Sequence, residues 1–179
     1  MAELLKGAAV AAELNKKSLE KIEELREKGI IPSLMILRVG LNDADESYIR
    51  GIMKRAAELG VNAEVTALPE SSSESEVICE IERLNKDNGV HGVLMMRPLP
   101  KGIDEDKVRR ALKAEKDMDG ITDIALGGVF SGNNIGYAPC TAQSCIEILD
   151  HYAYDLKGKK VCVIGRSLVI GKPVAMTYI

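Results

Sequence analysis

Few groups in this sequence have the means to do chemistry. Asp119 closes the run Lys116-Asp117-Met118-Asp119 and precedes Gly120. An ionised carboxylate accepts two parallel hydrogen bonds, so Asp119 is able to hold the edge of a flat heterocycle that carries adjacent N–H donors. By residue type alone it reads first as a turn residue ahead of glycine. Tyr48 offers an aromatic face and a hydroxyl, in a chain with five Tyr, one Phe and no Trp. Packing in an amphipathic core is the commoner use of such a side chain. Gly165-Arg166-Ser167-Leu168-Val169-Ile170-Gly171-Lys172-Pro173 follows an apolar run and opens a helix, a context in which backbone N–H groups bind phosphate. It lacks the G-x-G-x-x-G spacing, so an ordinary strand-to-helix turn explains it equally well. Cys79, Cys140, Cys145 and Cys162 form no C-x-x-C pair, and His91 and His151 lie far apart. Neither a zinc site nor a disulfide framework is expected; reduced, mostly buried thiols are.

These groups need elements to position them. Ala11, Leu14, Ser18, Ile22 and Leu25 recur at three- and four-residue steps, which predicts an amphipathic helix ending near Gly29. Ser33–Val39 reads as a strand, Gly40–Asp45 as a polar loop, and the residues through Glu58 as a helix stopped at Gly60. Asn62–Leu68 is the next strand. Ser73 and Glu76 have capping-box spacing for a helix to about Lys86. Gly92–Met96 is a third strand ahead of Pro98 and Pro100, and Glu105–Ala114 a helix. Ile121–Cys140 reads as a connector, Thr141 as the cap of a helix through Asp150, and Lys159–Ile164 as a buried strand. A last helix is expected from Pro173, which suits a first turn. It breaks off at Ile179 without Gly, Pro or a polar cap, so the sequence reads as a fragment or an interrupted chain.

Short strands alternating with amphipathic helices predict an α/β fold, a parallel sheet with helices on both faces. Ligands of such sheets gather at the carboxyl ends of the strands. Gly40–Tyr48, Met96–Pro100 and Lys116–Gly120 all fall at or after those ends. The composition, 46% hydrophobic and 28% charged over 179 residues with a net charge of −3, suits one domain and part of another. No Lys/Arg block recommends nucleic acid as a partner. No apolar run approaches eighteen residues and Met1–Lys6 has no signal-peptide pattern, so a cytoplasmic protein without a membrane anchor is expected.

Four segments in register resemble the bifunctional methylenetetrahydrofolate dehydrogenase/methenyltetrahydrofolate cyclohydrolase family. They are Val39-Gly40 through Ala44 to Tyr48; Gly92-Val93-Leu94-Met95-Met96-Arg97-Pro98-Leu99-Pro100; Lys116-Asp117-Met118-Asp119-Gly120; and Pro139-Cys140-Thr141 with Gly165-Arg166-Ser167 and Gly171-Lys172-Pro173. The resemblance implies a folate-binding catalytic domain over residues 1–138 and, over 139–179, the beginning of a Rossmann-like nucleotide domain. It implies that Tyr48, Asp119, Pro98 and Leu99 meet a tetrahydrofolate derivative, with Tyr48 and Asp119 the catalytic pair. It implies that Gly165, Arg166, Ser167, Gly171 and Pro173 meet NADP, with NAD the alternative cofactor. The family pairs through its nucleotide domain, which implies a homodimer; no metal is implied.

The departures from the family pattern bear on the chemistry. Ile52 stands where the family's Tyr-x-x-x-Lys pattern has its lysine, and Met96 where it has a glutamine. Ala142 replaces a proline, and Asp43 and Asp45 stand where Pro and Ser are usual. Lys54 lies roughly 200° around a helix from Ile52 and faces away. Arg55 lies nearer the face of Tyr48, but a guanidinium stays protonated and cannot act as both acid and base. Moving hydride from the methylene bridge to a nicotinamide asks mainly for positioning. Hydrolysing the methenyl product asks for a group of tunable pKa, which isoleucine and methionine do not supply. A dehydrogenase with weak or absent cyclohydrolase activity is therefore expected. The alternatives are a non-catalytic folate-binding relative and an α/β interaction module without a small ligand.

Overall fold

The computed structural model describes residues 3–40 and 43–177. Strands β1 (Ser33–Val39), β2 (Asn62–Leu68) and β3 (Gly92–Met95) form a parallel sheet in the order β2-β1-β3. Ser33 pairs with Asn62, and Leu34 with Gly92. Side chains alternate across the central strand, as the pleat requires. Met35 and Leu37 join Val77, Ile81 and Leu84 of α3 (Glu74–Lys86) and Val108 of α4 (Glu105–Ala111). Ile36 and Leu34 face the other way, into a layer with Ile49 and Met53 of α2 (Asp43–Leu59) and with Met96. One face of the sheet therefore carries α3 and α4, the other α2.

Helix α1 (Gly7–Glu27) ends before Gly29, whose φ of 75° lies in the left-handed region. The Ser73–Glu76 capping box forms as the spacing predicts: the Ser73 side chain accepts the Glu76 N–H, and the Glu76 carboxylate accepts the Ser73 N–H at 2.7 Å. Several boundaries differ from expectation. Helix α2 begins at Asp43, inside the stretch read as a loop, of which Leu41 and Asn42 lie outside the described residues. Strand β3 ends at Met95, one residue short. Helix α4 stops at Ala111, and a turn of 3-10 helix covers Ala114–Lys116.

The supposed connector contains a helix, α5 (Asp123–Ser131). Thr122 caps it by accepting the Ala125 N–H, and Gly132 ends it at φ 66°. Apolar residues and glycines run right through this segment, so no polar face announces a helix. Helix α6 (Cys140–His151) starts one residue before Thr141, behind Pro139, and Thr141 is not its cap. Residues 159–164 pair with no strand among the described residues and are largely exposed, Ile164 at 99%. An apolar run becomes a strand only where a ladder partner takes up its N–H and C=O groups. Helix α7 (Gly171–Thr177) begins before Pro173, which still sits in its first turn, where a missing N–H costs nothing. The thiols are not mostly buried either. Cys79, Cys140 and Cys162 are exposed and Cys145 is half-buried, because Cys79 points away from the Val77–Ile81–Leu84 face and residue 162 lies in the unpaired segment.

Candidate active site

The site is assembled at the carboxyl edge of the sheet by the turn that follows the 3-10 helix. Asp117 forms a one-residue parallel bridge with Val93, and the Met118 N–H donates to the Val93 carbonyl at 3.2 Å. The chain then turns at Gly120, φ 63°. A Cβ there would meet the Pro139 nitrogen at 2.6 Å and the Ala138 carbonyl carbon at 2.7 Å. Only glycine lets residues 137–139 cross so closely, and that crossing delivers Cys140 to Asp119. The thiol donates to the Met118 carbonyl at 3.2 Å, and the charge of Asp119 acts on it as well.

Asp119 is half-buried. Desolvation pushes its carboxyl above the usual range; the Arg97 guanidinium opposes this, the Asp117 carboxylate adds to it, and the Cys140 thiol relieves part of it. Desolvation raises the Tyr48 phenol, with Asp119 and Cys140 adding to the rise. The Cys140 thiol is raised by desolvation first and by Asp119 next. Tyr48 from α2, Asp119 from the turn and Cys140 from α6 are thus electrostatic neighbours. Tyr48 itself is 57% exposed, an aromatic face open to a ligand.

Tyr48 and Ile52, one helical turn apart, line an apolar groove of about 450 Å³ with Gly51, Arg55 and Leu34. Arg55 shares that groove, as the helical spacing requires, and bonds Glu58 at 3.0 Å; Lys54 does not line it. Met96 is buried beneath the groove, in the apolar layer against which Ile52 packs. Asp119 lines a separate cavity of about 150 Å³ with Arg97, Gly120, Pro139, Leu168 and Val169. Pro98 is exposed, while Leu99 packs against the α3–α4 core and donates its N–H to Glu105 at 3.3 Å. Residue type alone could not single out Arg97, Glu105 and Cys140. Their signal is adjacency to the Pro-Leu-Pro and Pro-Cys-Thr runs.

In the 165–171 loop the Ser167 hydroxyl accepts the Ile170 N–H at 3.0 Å, and the Ser167 carbonyl accepts the Lys172 N–H at 3.0 Å. A Cβ on Gly171 would collide with Gly165, so the loop closes tightly on itself. Arg166 projects into solvent. An exposed guanidinium beside a hydroxyl suits a phosphate, so these residues fit one end of a dinucleotide; the described residues do not enclose a whole one. Among the described residues no helix is long and apolar enough to cross a membrane, and no His/Cys/Asp/Glu cluster is arranged for a metal ion.

Comparisons with known proteins identify the family. The profile of the tetrahydrofolate dehydrogenase/cyclohydrolase catalytic domain matches residues 5–119, and that of the family's NAD(P)-binding domain matches residues 139–179. The bifunctional protein FolD of Alkaliphilus oremlandii is 40% identical over 98% of the chain and 62% of its own length. The Clostridioides difficile protein of the same name is 41% identical over 97% of the chain and 61% of its own. The crystal structure of the bifunctional methylenetetrahydrofolate dehydrogenase/cyclohydrolase from Campylobacter jejuni superposes with a TM-score of 0.95 at 34% identity, covering 98% of the chain and 62% of that structure. The Trypanosoma brucei enzyme, complexed with NADP and an inhibitor, gives 0.90 at 30% identity over 99% and 61%. The chain spans a little over three-fifths of the length of the relatives it matches. With the catalytic-domain profile running from α1 to Asp119, the chain belongs to the tetrahydrofolate dehydrogenase/cyclohydrolase family.

Proposed function

We propose that the chain forms the folate site of an NADP-linked methylenetetrahydrofolate dehydrogenase in which the cyclohydrolase step is lost or much weakened. The observation that carries this reading is the packing of Ile52 against the layer that buries Met96, directly beside Tyr48 on α2. Asp119 accepts hydrogen bonds from the pterin edge. Tyr48 gives the ring system a platform and a hydroxyl, and Pro98 and Leu99 shape the neighbouring wall. Arg166 and Ser167 would hold the phosphate end of NADP, with Gly165, Gly171 and Pro173 shaping the loop; bound there, NADP supplies the hydride acceptor. Orienting the methylene bridge is then the whole task of the protein in the oxidation, because the folate nitrogens stabilise the cation that forms. Hydrolysis needs a proton relay beside Tyr48, and the position one turn along offers only a hydrocarbon.

The reading divides the chain into residues 1–138 for folate and 139–179 for the nucleotide, and carries a cytoplasmic homodimer as its setting. Titrating the full-length protein with tetrahydrofolate, and then following NADP reduction by methylenetetrahydrofolate, tests it. Binding together with reduction is the expected result. Binding without reduction by either NADP or NAD supports a non-catalytic folate-binding relative, and no binding overturns the folate site.

A further inference from the structure

Arg97 lines the same cavity as Asp119, together with Gly120 and Pro139. Its guanidinium is anchored: Nη1 donates to Glu105 Oε1 at 3.0 Å, and the other oxygen of Glu105 accepts the Leu99 N–H. The Arg97 side chain is 23% exposed, so water screens it incompletely. Among the described residues Glu105 is its hydrogen-bond partner, and it makes no direct bond to Asp119. Its charge nonetheless acts on Asp119 across the cavity. A fixed cation thus stands beside the residue assigned to the pterin edge.

Resting on the folate reading above, we propose that Arg97 is a specificity-determining residue that weakens the hold of this site on the cationic methenyl form relative to neutral tetrahydrofolates. The two ligands share the pterin edge, the aminobenzoyl group and the acidic tail. They differ by the one-carbon bridge and the single positive charge spread over it. Two unit charges separated by about 10 Å, at an effective dielectric constant of about 20, interact strongly enough to change an affinity by roughly tenfold. The acidic neighbours Glu105, Asp117 and Asp119 attract the same cation, but they are common to every variant, so the change between variants reads the contribution of Arg97 alone. A weaker hold on the cation suits a site without a hydrolytic group, because it helps the methenyl product to leave.

The test measures dissociation constants of tetrahydrofolate and 5,10-methenyltetrahydrofolate side by side on the full chain, at low and high salt. Arg97→Leu is expected to tighten methenyl binding relative to tetrahydrofolate by about tenfold, whereas Arg97→Lys keeps most of the wild-type ratio. Arg97→Gln, which retains an N–H donor for Glu105, stands in if the leucine variant does not fold. Added salt should shrink the difference in ratio between the wild type and the neutral variants. A ratio that is the same in the wild type and the neutral variants overturns the role of Arg97 and leaves the folate site standing. Failure of the wild type to bind either ligand overturns the folate reading and this inference with it.

Discussion

The Asp117 carboxylate accepts the backbone N–H of Thr122 at 2.7 Å and so closes the turn that presents Asp119. Asp117 is fully buried and its second oxygen has no partner among the described residues, while Thr122, itself buried, caps α5. Asp117→Ala leaves the Thr122 N–H buried and unpaired, at a cost of about 1–3 kcal/mol. Asp117→Asn keeps a carbonyl oxygen for that N–H and is expected to lose much less. Denaturant unfolding of both variants checks this. Equal losses would mean that the charge, not the hydrogen bond, holds the turn.

Asp119 faces opposite demands from stability and from function. Its carboxyl is raised above the usual range, chiefly by desolvation. A group with a raised folded-state pKa binds its proton more tightly when folded, so it favours the native state at low pH and loses that contribution as pH rises through the folded value. Asp119→Asn is therefore expected to melt higher than the wild type at neutral pH. The difference should shrink as the pH falls and Asp119 takes up its proton in both states. The same variant turns one acceptor into a donor against the pterin amino group, weakening tetrahydrofolate binding by about 1–3 kcal/mol. A variant that binds normally and melts lower would make Asp119 an ordinary turn residue.

Cys140 reports on Asp119 independently of any ligand. Desolvation and the neighbouring carboxylate both raise its thiol pKa, and thiolate is the nucleophile toward alkylating reagents. Removing the carboxylate with Asp119→Asn should speed iodoacetamide labelling of Cys140 at mildly alkaline pH, read by peptide mass spectrometry. Labelling of Cys79, on the outer face of α3, should be unchanged. An unaltered Cys140 rate would place the two groups too far apart to sense each other.

The sheet was readable because its signals are local. The run 33–39, the Ser73–Glu76 box and the glycines at 29 and 60 each act within a few residues. The site was only partly readable. Tyr48 and Asp119 stand in recognisable runs, but their meeting depends on residues 137–139 crossing Gly120, a tertiary contact with no local signature. Helix α5 escaped because glycines and apolar residues gave it no polar face. Residues 159–164 were misread because apolar composition says nothing about whether a neighbouring strand is there to pair. An arginine beside prolines has no signal of its own; the surroundings of Arg97, Glu105 and Asp119 among them, are tertiary.

The replaced lysine can be restored, and the structure indicates what that will require. Ile52 is half-buried, one turn from Tyr48, and Met96 lies beneath it with Ile36 and Ile49. The wild-type protein is expected to make methenyltetrahydrofolate and let it accumulate, so that its absorbance decays no faster than in buffer at the same pH. An amine placed by Ile52→Lys can reach the solvent-open groove, which limits the cost of desolvating it. Alone it gains little, because nothing in the apolar layer orients it. Met96→Gln supplies a hydrogen-bonding partner but buries an amide among Ile36 and Ile49, at a cost of about 1–3 kcal/mol if its groups stay unpaired. The two changes are therefore expected to help each other: the lysine gives the amide a partner, and the amide fixes the lysine. Methenyl decay should rise more in the double variant than the single variants predict together, and its stability loss should be smaller than their sum. Rapid hydrolysis by the unmodified protein would instead show that another residue supplies the proton, and the assignment of Ile52 to the missing step would be wrong.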